Sequence, residues 1–107
     1  MNVRPVTNAN FKESIRKTGV TLVDFSAAWC PPCKVLLPIL EDLSQENRKD
    51  VSILKVDCDN EPDLASAFGV MSMPTVVVFQ DGVPMEKLVG LRPKSVYQSL
   101  ITQYRRA

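Results

Sequence analysis

Val20-Thr21-Leu22-Val23-Asp24-Phe25 is an apolar run with almost no alternation, so as a strand it needs cover on both faces. Directly after it come Trp29-Cys30-Pro31-Pro32-Cys33-Lys34 and a helical stripe of Val35, Leu36, Ile39, Leu40 and Leu43, extending to about Asn47. Pro38 falls inside that helix, cannot donate to the Lys34 carbonyl, and is expected to kink it. A doubly buried strand that feeds straight into a helix belongs to a sheet sandwiched between helices.

The rest of the chain fits that frame. Thr7 or Asn8 is expected to cap a first helix through about Lys17, with Phe11 and Ile15 on one face and Gly19 as its stop. Val51 to Val56 reads as another strand. Asn60 and Pro62 open a short helix, Asp63 to Phe68, which Gly69 closes. Thr75 to Phe79 is a strand, Asp81-Gly82 a tight hairpin turn, and Met85 to Val89 the antiparallel return. Gly90 interrupts, and Val96, Leu100, Ile101 and Tyr104 form the face of a final helix. With a weak leading strand at Val3 to Val6, the order is β-α-β-α-β-α-β-β-α. This predicts an α/β fold with a central mixed β-sheet and helices on both faces, in a single domain over residues 1–107.

Charge and cysteine usage narrow the function. Net charge is +1, which gives no basis for binding nucleic acid or an anionic membrane. The terminal Arg105-Arg106 reads as a solvated helix end. No apolar run approaches the ~18 residues that span a bilayer, and Met1 to Pro5 lack the apolar core of a secretory signal. A cytoplasmic location is therefore expected. Three cysteines do not make a disulfide framework. The absence of histidine excludes Ser-His and Cys-His nucleophile pairs and histidine metal sites. A zinc or iron–sulfur site would have to use Cys30, Cys33 and Cys58 with a carboxylate, one thiolate short of the usual four. Redox chemistry is favoured, and no metal is expected.

A helix beginning between Cys30 and Cys33 brings their sulfurs within bonding reach. It also aims unpaired N–H groups and its positive dipole end at the first sulfur, which favours a thiolate there. The Cys30 sulfur at the helix tip is expected to be exposed and the Cys33 sulfur, one turn in, to be shielded. Cys30 then attacks a substrate disulfide, and Cys33 resolves the mixed disulfide to leave a Cys30–Cys33 bond. Resolution needs a proton acceptor for Cys33. Asp24, in an apolar run that raises its pKa, suits that task; the alternative is an acid reaching solvent at a strand edge. Lys55 either pairs with Asp24 or is a solvated lysine. Pro74 either blocks a sheet edge or forms a cis bond with Met73 that shapes a tight turn. Trp29 reads as a contact surface beside the thiols. Met71 and Met73 are adaptable contacts or core, and Cys58 is a small packed residue.

Over nearly its whole length the chain resembles the thioredoxin family. The resemblance rests on Val23-Asp24-Phe25, Trp29-Cys30-x-Pro32-Cys33-Lys34, Pro38, Met73-Pro74-Thr75, Asp81-Gly82 and Val89-Gly90. The Met71-Ser72-Met73-Pro74 and Gly82-x-Pro84 wording is most similar to thioredoxins of Gram-positive bacteria. The resemblance implies the thioredoxin fold and reduction of protein disulfides, with regeneration by a flavin-dependent thioredoxin reductase using NADPH and no bound cofactor. It implies a monomer in which Cys30 is the nucleophile, Cys33 the resolving cysteine, Asp24 the buried acid, Lys55 its neighbour and Pro74 a cis-proline. Trp29, Met73, Val89 and Gly90 would form the docking surface for disulfide-containing proteins.

Two positions depart from the family pattern. Pro31 precedes Pro32 where Gly-Pro is usual; tryparedoxins and nucleoredoxin also carry Cys-Pro-Pro-Cys, but they are longer and lack much of the remaining pattern. Pro31 removes an N–H near the Cys30 sulfur and also restricts the turn, two effects that oppose each other. Ser26 stands where an aromatic usually packs. The alternatives to a reductase are a specialised oxidant or isomerase, a tryparedoxin-like donor of altered potential, and a non-catalytic binding module.

Overall fold

The computed structural model describes residues 2–105, so Arg106 of the terminal basic pair lies outside the described residues. Five strands form one sheet in the order β1-β3-β2-β4-β5, with β1 Val3–Pro5, β2 Val20–Ser26, β3 Val51–Asp57, β4 Thr75–Gln80 and β5 Val83–Val89. The helices are α1 Phe11–Ser14, α2 Pro31–Glu46, α3 Pro62–Ala67 and α4 Lys94–Tyr104. The element order and the mixed sheet agree with the sequence reading.

The apolar run takes the central position. β2 pairs in parallel with β3, from Val20↔Val51 to Ser26↔Asp57, and antiparallel with β4, from Val20↔Gln80 to Phe25↔Thr75. Side chains alternate across a sheet, so the run supplies two cores. Val20 and Leu22 pack with Leu36, Leu40 and Leu43 of α2 and with Tyr97 and Ile101 of α4. Val23 and Phe25 face the other way, against Phe11, Leu64 and Phe79.

Local chemistry overrides several expected boundaries. α1 covers only Phe11–Ser14 and begins after Asn10, not at Thr7 or Asn8. The Asn10 Oδ1 accepts the Thr7 N–H at 2.8 Å instead of capping the helix. Beyond Ser14, the Arg16 N–H donates to Thr21 Oγ1 at 3.1 Å, which draws the backbone out towards β2. Gly19 therefore does not end the helix. Its φ is +96°, and a Cβ there would lie 2.7 Å from the Asp50 carbonyl oxygen; only glycine fits. The cap of α3 is Glu61, because the Asn60 amide is engaged with Asp57 Oδ2 at 3.0 Å.

Val35, expected in the core stripe of α2, is 55% exposed. The stripe is carried by Cys33, Leu36, Leu40 and Leu43, whose three- and four-residue spacing turns Val35 outward. On α4 the largest core contribution is Tyr97, fully buried and missing from the expected face. Its phenolic oxygen accepts the Arg92 N–H at 3.3 Å, which lets a polar-tipped ring sit inside. The hairpin turn has φ 51° at Asp81 and 87° at Gly82, the left-handed pair that closes a two-residue loop. β5 starts two residues before the expected Met85, and its register against β4 shifts between Val78 and Phe79.

Leu40 and Val35 provide a direct contrast. Leu40→Ala should cost about 2–5 kcal/mol in urea unfolding, whereas Val35→Ala should stay within about 0.5 kcal/mol. Equal losses would mean that α2 does not present the face described.

Candidate redox site

Because Leu22 faces α2, Asp24 and Ser26 do too, two and four residues further along the same strand. On β3 the same parity carries from Ile53 to Lys55 and Asp57, and the register sets Lys55 beside Asp24 and Asp57 beside Ser26. α2 begins just after β2 with Cys30 as its N-cap, at extended φ −92° and ψ 112°. Its first turn therefore lies over the polar ends of β2 and β3.

All three cysteines are free thiols. Cys30 and Cys33 pack together with Ala27 and the partly buried Met73, and a side-chain hydrogen bond links the two thiols. The expected difference in exposure is absent: Cys30 is 3% exposed and Cys33 6%. Cys30 is covered because its thiol donates to the Met73 carbonyl oxygen at 3.6 Å, which draws it under the turn before β4. The expected set of N–H donors at the helix tip is also thinner. Pro31 and Pro32 occupy the first two helical positions, so among the first three only Cys33 carries an N–H. Burial, followed by the hydrogen bond to Cys30, pushes the Cys33 thiol up to about 12, although the Ala27 backbone hydrogen bond counteracts part of this.

Asp24 is 2% exposed, and among the described residues its Oδ1 has no hydrogen-bond partner. Loss of hydration raises its pKa to about 7, while the Lys55 ammonium pulls in the opposite direction. The solvated-acid alternative is thereby excluded. Asp24, Lys55, Ser26 and Cys33 line one cleft of about 390 Å³ beneath the start of α2.

A second, outer surface lies on the other side of Cys30. The Met73–Pro74 peptide bond is cis. The Gly90 N–H donates to the Pro74 carbonyl oxygen at 2.8 Å, and Val89 pairs with Thr75. Trp29 is 64% exposed, and Val89 is also exposed. Met71, 94% exposed, is surface and not core. Sequence reasoning missed Asp59, whose Oδ2 accepts the Trp29 indole N–H at 2.9 Å. It also missed Ala27, whose backbone bonds Cys33; neither contact has a local sequence signal. Cys58 is buried in the core opposite α2, and burial raises its pKa to about 11. Among the described residues, no three His, Cys, Asp or Glu side chains converge to hold a metal ion. Among the same residues, no helix is long and apolar enough to cross a membrane.

The buried carboxyl makes stability depend on pH. Asp24 titrates at about 7 when folded and at 3.8 when solvated, so over that range the folded state holds the extra proton. Stability should therefore fall as pH rises from about 4 to about 7 and level off above, by on the order of 4 kcal/mol in all. Urea unfolding of Asp24→Asn across this range should lose that slope and show higher stability at neutral pH. Matching slopes would mean that Asp24 does not carry the effect.

The chain matches the family model described as Thioredoxin over residues 2–103. It is 44% identical to a thioredoxin of Staphylococcus saprophyticus over 104 residues, covering 97% of this chain and 99% of that one. It is 49% identical over 94 residues to a thioredoxin of Staphylococcus haemolyticus, covering 88% and 89% of the two chains. A solved structure of a mutant thioredoxin from Halobacterium salinarum superimposes with a TM-score of 0.92 at 34% identity, covering 99% of this chain and 93% of that one. With two thiols at the start of α2, a mixed five-stranded sheet and this match along nearly all its length, the chain is a thiol–disulfide oxidoreductase and belongs to the thioredoxin family.

Proposed function

We propose that the chain reduces protein disulfides, with Cys30 as nucleophile, Cys33 as resolving cysteine and Asp24 as the proton acceptor. The observation that carries this reading is that the Cys33 residue and the buried Asp24 carboxyl line one cleft, where burial pushes the Cys33 thiol up to about 12 and the carboxyl up to about 7. So weak a thiol acid needs a base to react near neutrality, and Asp24 lines the same cleft. Direction, not exposure, separates the cysteines. The Cys30 sulfur is turned to the Met73 carbonyl beside the outer surface, whereas Cys33 lies over the cleft.

In the first step the substrate disulfide docks on Trp29, Met73, Val89 and Gly90, beside Pro74. The Cys30 thiolate attacks one substrate sulfur, a mixed disulfide forms, and the other sulfur leaves as a thiolate. Cys33 then passes its proton to the Asp24 carboxylate and attacks the Cys30 sulfur. The second substrate thiolate is released and a Cys30–Cys33 disulfide remains. Lys55 tunes Asp24 by favouring its ionised form. The disulfide is returned to the dithiol by a flavin-dependent thioredoxin reductase drawing on NADPH, in the cytoplasm. Pro31 and Pro32 bound the turn that both redox states share.

Reduction of a model protein disulfide by dithiothreitol should be faster with this protein and lose that acceleration with Cys30→Ser; equal inactivity of the two would end the reductase reading. Cys33→Ser should accumulate the mixed disulfide. Asp24→Asn should slow resolution and remove its rise with pH through about 7; an unaltered pH profile would remove Asp24 from the mechanism. A Cys30–Cys33 potential near about −270 mV fits a reductant and one near about −120 mV an oxidant. Comparison with Pro31→Gly reads out the influence of the additional proline on that potential.

A further inference from the structure

The turn that covers Cys30 is gripped at both ends by β5. At its far end the Gly90 N–H holds the Pro74 carbonyl. At its near end the chain leaves α3 through two bonds, from the Gly69 N–H to the Ser66 carbonyl and from the Val70 N–H to the Ala65 carbonyl, both at 3.0 Å. This is the paired pattern of a helix stop built on a left-handed residue, which Gly69 supplies at φ +64°. The Phe68 and Gly69 carbonyls lie beyond that closure, and the Lys87 ammonium donates to both, each at 3.1 Å. A cation there also opposes the negative end of the helix dipole. Lys87 stands opposite Val77 on β4 and so faces α3. Among the described residues no carboxylate pairs with it. Neighbouring Glu86 turns to the other face, where it accepts the Tyr104 hydroxyl at 3.0 Å.

Between the two grips the turn is held unevenly. From Ser72 onward it is tied closely, by the Thr75 hydroxyl donating to the Ser72 carbonyl at 2.7 Å and by the Cys30 thiol on the Met73 carbonyl. Val70 and Met71 span the remaining gap, and Met71 is 94% exposed. The place where Met71 stands is therefore set from the α3 side, by the Gly69 stop and the lysine seated on it. We propose that Lys87 is a positioning residue for protein substrates: by holding the end of α3 it fixes the Val70–Met71 span and presents Met71 as a further docking contact on the turn that carries Met73. The idea rests on the reductase reading above and adds to it a residue that acts through the turn and not on the sulfurs. A protein disulfide, which has to lie across the turn, feels the position of Met71. A small disulfide that needs only the Cys30 sulfur does not, because the ties from Ser72 onward keep the Met73 carbonyl in place without Lys87.

The test compares Lys87→Met with Lys87→Arg in the full chain. Amide hydrogen exchange followed by NMR should quicken several-fold at Gly69 and Val70 in Lys87→Met and stay unchanged along β2, which also reports that the fold is retained. In reduction of a model protein disulfide, Lys87→Met should raise KM several-fold and leave kcat unchanged. Its rate with 2-hydroxyethyl disulfide should match the wild type. Lys87→Arg keeps a cation able to meet both carbonyls and should restore KM and exchange together. Met71→Ala should raise KM as well, and adding Lys87→Met to it should bring no further rise, since the two act through one contact. An unchanged KM in Lys87→Met, equal losses with the protein and the small disulfide, Lys87→Arg behaving as Lys87→Met, or effects of Lys87→Met and Met71→Ala that simply multiply would each overturn the assignment. A wild-type protein that leaves the protein disulfide unreduced would fall on the reductase reading, whereas unaltered exchange at Gly69 and Val70 in Lys87→Met falls on Lys87 alone.

Discussion

The central strand β2 is held by backbone hydrogen bonds on both edges, in parallel to β3 and antiparallel to β4, and buried on both faces. A strand fixed in this way cannot slip by one residue without turning every side chain to the opposite core. That rigidity lets a carboxyl group be placed where it is unfavourable. Asp24 shares a face with Leu22, so the alternation that builds the α2 core also sets an acid beneath the first turn of α2. The thiol pair at that turn, the lysine opposite and the cleft between them all follow from one register.

The arrangement sets stability against chemistry. An ionised Asp24 with an unpartnered oxygen is costly to bury, and the cores on both sides of the sheet have to offset it. Asp24 titrates near neutrality because it is deprived of water, and the same deprivation weakens the fold as pH rises. Relieving the group by hydrating it would return it towards an ordinary carboxylate. In the proposed mechanism, a base so altered would be poorly matched to the Cys33 thiol.

Most of the architecture was legible because its signals are local and repetitive. The unbroken run at Val20 to Phe25, the stripe at Leu36, Leu40 and Leu43, and Asp81-Gly82 each state their own structure. The errors lie where a side chain from elsewhere intervenes. Thr21 takes the Arg16 N–H and draws the chain out of α1. Tyr97 is buried because an N–H at Arg92 meets its hydroxyl, a contact that apolar periodicity does not register. At the site, Asp24, Cys30 and Cys33 stood out as residues at odds with their surroundings. Their relative access did not, because Cys30 is covered by a carbonyl at Met73, far away in sequence. The tether from Asp59 to Trp29 was hidden for the same reason.

The outer strand β5 has consequences for the company this molecule keeps. An exposed strand edge carries unpaired backbone groups that can template another strand. Here Pro84 deletes one donor, the register shift at Val78/Phe79 disturbs the flat edge, and Glu86 and Lys87 set charges along it. Another strand therefore finds little on this edge from which to extend the sheet. The misaligned edge keeps a transient handshake from growing into a shared sheet.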